Sequence, residues 1–419
     1  MSELLEFGVW PRYLKPKVQQ ALSRSPAVYL TGARQVGKTT LALEIAREED
    51  MAYLTLDDPT LLAAARRDPS GIVAGLKGPA VIDEVQRVPE LLLAIKATID
   101  EDRRPGRFLL TGSTSLPGRG DVAAALVGRA EYLTLYPLAE AEIEKAPSSL
   151  VEALFQDIFP YPPGARFAAE EVEPRLRRGG YPPAAQADEA AREAWLRSYL
   201  AALIERELLT LSRIEHPEGA LDLLRLLAQR TATPQNIANM GSEIGLPAAT
   251  ARRYAELFER VFLLVRVPAW AKNPAKRLAK RPKILINDPA LALFLALGSL
   301  RALIHHPEYA GRLLETFALL ELAKQASWSE PAPRLYHYRT ASGSEVDAVL
   351  EDEKGRVVGV EVKRAKTLGK RDLKGLWSLK EAAGERFLRG VVFYLGESVL
   401  PLGKNLYALP LSALWRPAL

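Results

Sequence analysis

Cysteine is absent from the 419-residue sequence, and histidine and methionine are scarce, at 4 and 3 residues. The chain can therefore form no disulfide and no thiolate metal site, which is compatible with a reducing compartment. The histidines show no metal-site spacing. No apolar run approaches the roughly 18 residues that cross a bilayer, and no basic-then-apolar signal pattern opens the sequence. We expect a cytoplasmic protein that does not use a membrane.

The remaining composition is that of a globular protein with several domains. Hydrophobic residues make up 48% of the sequence and charged residues 26%, which are ordinary proportions. The length suits about two to four domains, each large enough to bury its own core. The formal net charge of +5 is small for this length, so the distribution of the basic residues is more informative than their sum.

A phosphate-binding loop is predicted near the N-terminus. An apolar run, Val28–Leu30, leads into the pattern G-x-x-x-x-G-K-T, and a helical pattern follows. Glycines let backbone N–H groups turn toward a polyphosphate at a helix N-terminus, where the helix dipole favours negative charge. Lys38 would reach the β- and γ-phosphates, and the Thr39 hydroxyl would bind Mg²⁺. The predicted nucleotide-binding residues are Gly32, Ala33, Arg34, Gln35, Val36, Gly37, Lys38, Thr39 and Thr40.

A second motif, Pro79–Glu84, is an apolar strand that closes on two acids. It has the Walker B pattern, in which Asp83 would hold Mg²⁺ through water and Glu84 would polarise the attacking water. The alternative is an ordinary strand followed by a solvated acidic turn. Together with the loop upstream, the pattern favours ATP and Mg²⁺ as cofactors.

Two further positions could act on the nucleotide. The strand from Arg107 to Thr114 ends in hydroxyls, and in a parallel sheet that end lies beside the phosphate loop. Ser113 or Thr114 could sense the γ-phosphate or orient the water, although a plain strand-to-turn segment fits nearly as well. Arg129 precedes the strand Tyr132–Leu135 and could reach a nucleotide on a neighbouring subunit. A surface arginine is the other interpretation of Arg129.

Four segments together resemble a known family: GARQVGKTT, VIDEVQ, LLTGS, and VGR followed by L-x-L-x-P-L. They are similar to the AAA+ ATPases of a widespread prokaryotic group, in which the ATPase is joined to a C-terminal domain of unknown function with a nuclease-like core. The resemblance implies that Lys38 and Thr39 bind phosphate and Mg²⁺. It also implies that Asp83 and Glu84 form the Walker B motif. Ser113 would be sensor 1, and Arg129 would be the candidate arginine finger. A sensor-2 arginine has no clear match, and Arg177 and Arg178 are guesses.

The middle of the chain begins with a proline-rich stretch. Four prolines and a glycine between residues 140 and 165 indicate a linker or irregular segment. Apolar residues at spacings of three and four then predict a helix from Ala187 to Leu211.

Residues 217–290 have the pattern of a winged helix-turn-helix. Its second helix, Pro247–Phe258, would present Thr250, Arg252 and Arg253 to a DNA groove. No acid lies between Val261 and Asn287, and the cations there suit phosphate contact, which is independent of sequence and sensitive to salt. These cations are Arg266, Lys272, Lys276, Arg277, Lys280, Arg281 and Lys283. The alternatives are a protein contact and a solvated basic loop.

The C-terminal part has the pattern of a nuclease core. A helix from Gly311 to Ala326 carries Glu315, and two hairpin-like strands follow, with Asp347 in the first and Glu361-x-Lys363 at the end of the second. Antiparallel pairing would bring these groups together, since alternate strand residues share a face. Carboxylates can hold Mg²⁺, and a lysine can activate water or stabilise a pentacovalent phosphate.

This arrangement resembles the PD-(D/E)XK nuclease superfamily. The resemblance implies Asp347, Glu361 and Lys363 as the catalytic core and Glu315 as a helix-borne acid, with the three carboxylates as metal ligands. The E-x-K motif alone is weak, because alternating charged and apolar strand residues often produce it by chance. Such a core can also persist as an inactive DNA-binding module.

The sequence therefore predicts an α/β protein with four domains. These are an AAA+ P-loop NTPase core over 1–145, a helical linker or lid over 146–216, a winged-helix-like basic module over 217–300 and a PD-(D/E)XK-like domain over 301–419. We expect an ATPase that couples turnover to DNA binding or remodelling and forms a homo-oligomer, with an AAA+ ring as one assembly. Two alternatives stay open: an ATP-dependent switch that binds a partner protein, and an active Mg²⁺-dependent nuclease licensed by ATP.

Overall fold

The structure is a computed structural model that describes residues 10–114, 125–146, 150–168, 171–203 and 217–416. It divides into two compact units. The N-terminal unit comprises residues 12–137 together with 260–263, and the C-terminal unit comprises the remainder. Within the described ranges, no helix combines the length and the apolar character that a bilayer span requires.

The N-terminal unit is built on a parallel sheet. Its strands are β1 (Ala27–Thr31), β2 (Ala52–Thr55), β3 (Ala80–Asp83), β4 (Phe108–Gly112) and β5 (Ala130–Thr134). They lie in the order β2-β3-β4-β1-β5, and all pairs are parallel. Every residue of β1, β3 and β4 is buried, as expected for central strands of a sheet covered on both faces.

Five helices precede or connect these strands in the described part of this unit. They are α1 (Lys15–Arg24), α2 (Lys38–Glu48), α3 (Pro59–Arg67), α4 (Pro69–Ala74) and α5 (Leu91–Glu101). The predicted succession of strand, loop and helix at the phosphate-binding motif is confirmed, because β1 ends at Thr31 and α2 begins at Lys38. Since β1, β3 and β4 run parallel, their motif residues all meet at the carboxyl edge of the sheet.

The first helices of the C-terminal unit correct one expectation. They are α6 (Glu140–Glu144), α7 (Leu150–Phe155), α8 (Glu173–Arg178), α9 (Pro182–Gln186) and α10 (Glu189–Leu203). Residues 140–165 were expected to form a linker or irregular segment, but α6 and α7 lie in the first part of that stretch, and five of the six α7 residues are buried. Residues 156–165, which follow α7 and include three of the four prolines, contain no helix or strand, as that composition predicts. The helix predicted from Ala187 is observed as far as Leu203, and residues 204–211 lie outside the described part.

The next segment combines helices and a small sheet. Its elements are α11 (Pro217–Gln229), β6 (Thr233–Pro234), α12 (Ile237–Glu243), α13 (Ala248–Arg260), β7 (Leu264–Val267), α14 (Pro274–Leu278), β8 (Lys283–Ile286) and α15 (Pro289–Leu297). Strand β8 lies between β6 and β7, and both pairs are antiparallel. Helix α13 buries Tyr254 and Phe258 and exposes Arg252 and Arg253, as its strongly amphipathic sequence predicts.

The last part of the chain is a long helix followed by a mixed sheet. The elements are α16 (Pro307–Trp328), β9 (Arg334–Arg339), β10 (Glu345–Glu351), β11 (Val357–Val362), α17 (Lys374–Ala383), β12 (Phe387–Tyr394), β13 (Leu400–Gly403) and β14 (Leu406–Pro410). The sheet order is β13-β14-β12-β11-β10-β9. The predicted hairpin is confirmed, since β10 and β11 pair antiparallel with Ala348 opposite Val360. Strand β12 then pairs parallel with β11.

Candidate functional site

The loop between β1 and α2 has the backbone that its glycines allow. Gly32 has φ 151° and Gly37, the residue before α2, has φ 97°, a region that favours glycine. A Cβ at Gly32 would lie 2.3 Å from the backbone oxygen of Leu135. Glycine is therefore required at position 32 by backbone packing as well as by φ.

Lys38 is held at this loop. Its ammonium group donates to the backbone oxygens of Gly32 at 2.9 Å and Ala33 at 2.8 Å, and the residue is 4% exposed. Arg12, a residue that no sequence motif marked, supports the loop from outside by donating to the Val36 oxygen at 2.5 Å and the Tyr136 oxygen at 2.7 Å. The charged end of Lys38 thus lies where the motif predicts phosphate binding.

Asp83 at the end of β3 gathers three hydroxyl groups. Thr39 Oγ1 donates to its two carboxylate oxygens at 3.2 and 3.0 Å, Thr111 Oγ1 donates at 2.5 Å and the Tyr53 hydroxyl donates at 3.0 Å. Burial, followed by the charge of Asp83, raises the pKa of Tyr53. Thr39 and Asp83 present adjacent oxygen ligands, which is the donor chemistry that Mg²⁺ prefers. Thr39 and Asp83, the residues predicted to bind Mg²⁺ in this unit, therefore fit the ion.

Glu84 and Ser113 are linked through Gln86. The Gln86 side-chain amide donates to the Glu84 carboxylate and, at 2.9 Å, to Ser113 Oγ. Glu84 has φ 59°, and its N–H donates to Thr111 Oγ1 at 3.0 Å. Sequence reasoning missed Gln86, although its position two residues after Glu84 was a signal. The structure thus brings Glu84 and Ser113 together through one side chain.

The arginines predicted to act on nucleotide lie in ion pairs. Arg129 donates to both carboxylate oxygens of Asp100, at 2.7 and 2.8 Å. Arg177 pairs with Glu189 at 3.3 Å, and Arg178 pairs with Glu140. A role for Arg129 in a neighbouring subunit stays a prediction, and it requires that the pair with Asp100 opens.

The C-terminal acids predicted from the strand pattern lie together with Lys363. Lys363 Nζ lies 2.7 Å from Glu361 Oε2, and Asp347 Oδ2 accepts the Val362 N–H at 2.8 Å. Helix α17 can approach because Gly375 faces this group: a Cβ there would lie 1.8 Å from the Glu345 backbone oxygen. Burial, followed by the negative charge of Asp347, raises the pKa of both Glu315 and Glu361.

A second lysine, Lys283, enters this group of acids from β8. Its Nζ lies 2.6 Å from Glu315 Oε1, 3.4 Å from Glu345 Oε1 and 3.6 Å from Asp347 Oδ1. The sequence placed Lys283 among the exposed phosphate-contacting cations, but its side chain is 0% exposed. We call Lys283, Glu315, Glu345, Asp347, Glu361 and Lys363 the acidic cluster.

The acidic cluster does not fit a metal ion in this arrangement. Among the residues that the structure describes, no group of three or more potential ligands is placed to hold one. The ammonium group of Lys283 lies 2.6 Å from Glu315 and 3.6 Å from Asp347, two of the three predicted ligands, which argues against the metal site expected at Glu315, Asp347 and Glu361. Burial alone would lower the pKa of Lys283, but the charges of Glu315 and Asp347 outweigh it and raise that pKa.

The predicted DNA-contacting residues fall into two groups. Those with exposed positions are Arg252, Arg253, Lys272, Lys276, Lys280 and Arg281. Arg277 differs, because its guanidinium pairs with Glu351 at 2.5 and 2.9 Å and both side chains are 13% exposed. Its charge is already paired inside the C-terminal unit, which argues against the phosphate contact predicted for it.

Comparison with protein families agrees with the geometry of the N-terminal unit. Residues 24–144 match the model of the AAA domain. The N-terminal part of the chain is an AAA-family ATPase domain. Residues 169–301 match a domain of unknown function, DUF8612, and residues 310–414 match a second one, DUF4143. The AAA domain therefore contains the predicted nucleotide-site residues Lys38, Asp83, Glu84 and Ser113. In the acidic cluster, Lys283 belongs to the first domain of unknown function and the acids belong to the second.

Similar whole proteins occur in mycobacteria. Uncharacterized protein Rv2008c of Mycobacterium tuberculosis and Uncharacterized protein Mb2031c of Mycobacterium bovis are each 29% identical over 400 residues, covering 94% of this chain and 82% of theirs. Among solved structures, the Walker-type ATPase PABY2304 of Pyrococcus abyssi aligns with a TM-score of 0.40 at 15% identity, covering 68% of this chain and 96% of its own.

Proposed function

We propose that this protein is an ATPase that couples ATP binding and hydrolysis to a grip on DNA. The observation that carries the ATPase part is the contact of Thr39 and Asp83 beside the Glu84–Gln86–Ser113 group at one edge of the sheet. Together with Lys38, these residues supply a phosphate-binding ammonium group, an oxygen pair for Mg²⁺ and a carboxylate for water.

The roles of the residues at this edge follow from their chemistry. The Lys38 ammonium exchanges its two loop carbonyl oxygens for β- and γ-phosphate oxygens, which carry negative charge and bind it more strongly. Thr39 and Asp83 would hold Mg²⁺, which would supply charge neutralisation for phosphoryl transfer. Glu84 orients the attacking water, and Ser113, held through Gln86, contacts the γ-phosphate.

The DNA part of the proposal depends on α13 and on the segment between β7 and β8. Helices α11, α12 and α13, together with the three-stranded antiparallel sheet of β6, β7 and β8, support a winged helix-turn-helix. Helix α13 directs Arg252 and Arg253 outward, and the segment between β7 and β8 exposes Lys272 and Lys276. An open groove of about 320 Å³ between these elements is lined by Arg252, Arg266 and Arg281, with Glu256 also present. The three arginines that line this groove, with exposed lysines in the segment between β7 and β8, suit backbone phosphates.

We further propose that residues 307–394 form a PD-(D/E)XK-like core. The support is the long helix α16 that carries Glu315, the antiparallel hairpin of β10 and β11, and the contact of Glu361 with Lys363. This core contributes to DNA binding in the proposed function. A partner-protein switch is the competing function, and the response of the ATPase to DNA distinguishes the two.

The experiment measures ATP hydrolysis and DNA binding on the full-length protein. Duplex, forked, single-stranded and junction DNA are each tested at low and rising salt. We expect binding that weakens with salt and a hydrolysis rate that rises with at least one DNA form. Absence of binding to every form at low salt contradicts the DNA part, and a hydrolysis rate indifferent to DNA favours the switch.

Variants assign the DNA-binding surface. Arg252→Ala together with Arg253→Ala should lower DNA affinity and reduce the slope of log affinity against log salt by about 1 for each phosphate that the variant no longer binds. The matched control is Arg225→Ala, an exposed helical arginine of α11 that pairs with Asp222 at 3.1 Å. Equal affinities for the double variant and the control would remove α13 from the DNA surface.

A further inference from the structure

Lys283 is the unexpected member of the acidic cluster. It begins β8 of the small three-stranded sheet, yet its side chain is fully buried among acids carried by α16 and β10. Besides the Glu315 carboxylate, its ammonium group donates to the backbone oxygen of Asp347 at 3.4 Å. One cation is thus surrounded by three carboxyl groups and a carbonyl oxygen, an oxygen environment like that of a metal ion.

We propose that the ammonium group of Lys283 is the resident cation of the acidic cluster and takes the place of a divalent metal among its carboxylates. A buried carboxylate without a partner is strongly unfavourable, so a cluster of them needs a cation. Lys283 supplies that charge from within the chain. A divalent ion at the same position would meet a like charge and would have to displace it.

The position of Lys283 is built into the surrounding structure. Trp270 is fully buried with the side chains on one face of the six-stranded sheet, and its backbone N–H donates to the His337 oxygen at 2.6 Å. The backbone N–H of His337 in turn donates to the Pro268 oxygen at 2.9 Å. The Arg277–Glu351 pair adds a third connection. These contacts fix the segment that precedes β8, and with it the backbone from which Lys283 enters the cluster.

Another buried lysine in the same unit offers a matched comparison. Lys324 is 2% exposed, lies 2.8 Å from Glu321 Oε1 and donates to the Leu138 oxygen at 2.9 Å. Lys324 pairs with one acid on its own helix, whereas Lys283 lies among three acids carried by two other elements. Removal of either ammonium leaves a buried acid, but removal of Lys283 leaves three carboxyl groups that lie within 3.6 Å of it.

The test is a titration of the nucleotide-free, full-length protein with Mn²⁺, with bound ion followed by electron paramagnetic resonance. The wild type is compared with Asp347→Asn. Both proteins have the same ATP site, so any Mn²⁺ bound there cancels in the comparison. We expect identical titrations for the two proteins. Lys283→Met should bind one Mn²⁺ per chain more than the wild type, and Lys283→Met/Asp347→Asn should lose that ion. Lys283→Arg, which keeps the charge, and Lys324→Met should gain none.

Two results overturn the proposal. One is a wild type that binds a Mn²⁺ ion which Asp347→Asn loses, since the cluster would then hold a metal beside Lys283. The other is a folded Lys283→Met protein that gains no ion. If Lys283→Met does not fold, as judged by circular dichroism, the wild-type and Asp347→Asn titrations decide alone. Neither ATP nor DNA enters this test, so its failure leaves the proposed function untouched.

Discussion

The Thr39 hydroxyl donates to both carboxylate oxygens of Asp83, at 3.2 and 3.0 Å. These residues are 44 positions apart in sequence, and they meet because α2 and β3 both present them at the carboxyl edge of the parallel sheet. We expect Lys38→Ala and Thr39→Ala each to reduce kcat for ATP hydrolysis by about 10²–10³-fold, the usual effect of removing one group that stabilises a transition state.

Steady-state hydrolysis measures that reduction. Thr98→Ala is the control, because Thr98 bonds only within α5, to the Ala94 oxygen at 3.2 Å. Near-wild-type turnover in Thr39→Ala would remove Thr39 from the Mg²⁺ site.

Gln86 should matter for turnover more than for ATP affinity. Its amide orients the Glu84 carboxylate and Ser113, whereas Lys38 and Thr39 bond to other groups. We expect Gln86→Ala to lower kcat about tenfold with little change in KM, since a hydrogen bond to a charged group contributes roughly 1.5–3 kcal/mol. Gln19→Ala, which removes an exposed amide bonded to Glu49 at 2.8 Å, should leave both constants unchanged. A Gln86→Ala enzyme with unaltered kcat would show that Glu84 needs no such support.

The roles of Arg129 and Asp100 can be distinguished by substituting each residue alone. If Arg129 acts on the nucleotide of a neighbouring subunit, Arg129→Ala abolishes turnover while ATP binding remains, and Asp100→Ala leaves turnover intact because it only releases the arginine. Exposed ion pairs stabilise proteins little, so neither variant should unfold. Hydrolysis and ATP affinity are measured at protein concentrations above and below the concentration at which subunits associate. Equal effects of the two substitutions would identify a structural ion pair instead.

His337 should make the protein less stable in acid. It is 2% exposed, and burial, followed by the charge of Lys283, lowers its pKa from 6.5 to about 4. The unfolded state therefore takes up a proton at higher pH than the folded state, and stability falls as the pH falls from about 6.5 to about 4, by up to about 3 kcal/mol.

Urea unfolding across this pH range checks that slope. His337→Gln should flatten it, because glutamine does not titrate. His305→Gln, at an exposed position, should keep the slope of the wild type. A His337→Gln protein with the same pH dependence as the wild type would mean that the acid sensitivity has another source.

Much of the nucleotide site could be predicted because its signals are local. Lys38 and Thr39 follow a glycine loop, and Asp83 and Glu84 end an apolar strand, so short segments determine both the element and the position of each side chain in it. Gln86 stands near the Walker B acids in sequence, but its link to Ser113 spans 27 positions. Arg12 has no local signal, because its contact with Val36 spans 24 positions.

The basic tract was harder to interpret, because a sequence records charge but not burial. Seven cations without an intervening acid looked like one exposed surface. Three of them instead pair with acids. Arg266 pairs with Glu259 of the preceding helix. Arg277 and Lys283 pair with Glu351 and Glu315, since β7 and β8 pack beside the C-terminal sheet.

By itself the sequence determined the order of strand, loop and helix around Lys38, the hairpin that carries Asp347 and Glu361, and the outward face of α13. Each of these features depends on a residue pattern that extends over only a few helical turns or a few strand residues. Only the tertiary structure decided which charges are paired and buried. The free energy of a charge depends on its neighbours and its distance from water, and those are set when segments far apart in sequence pack together.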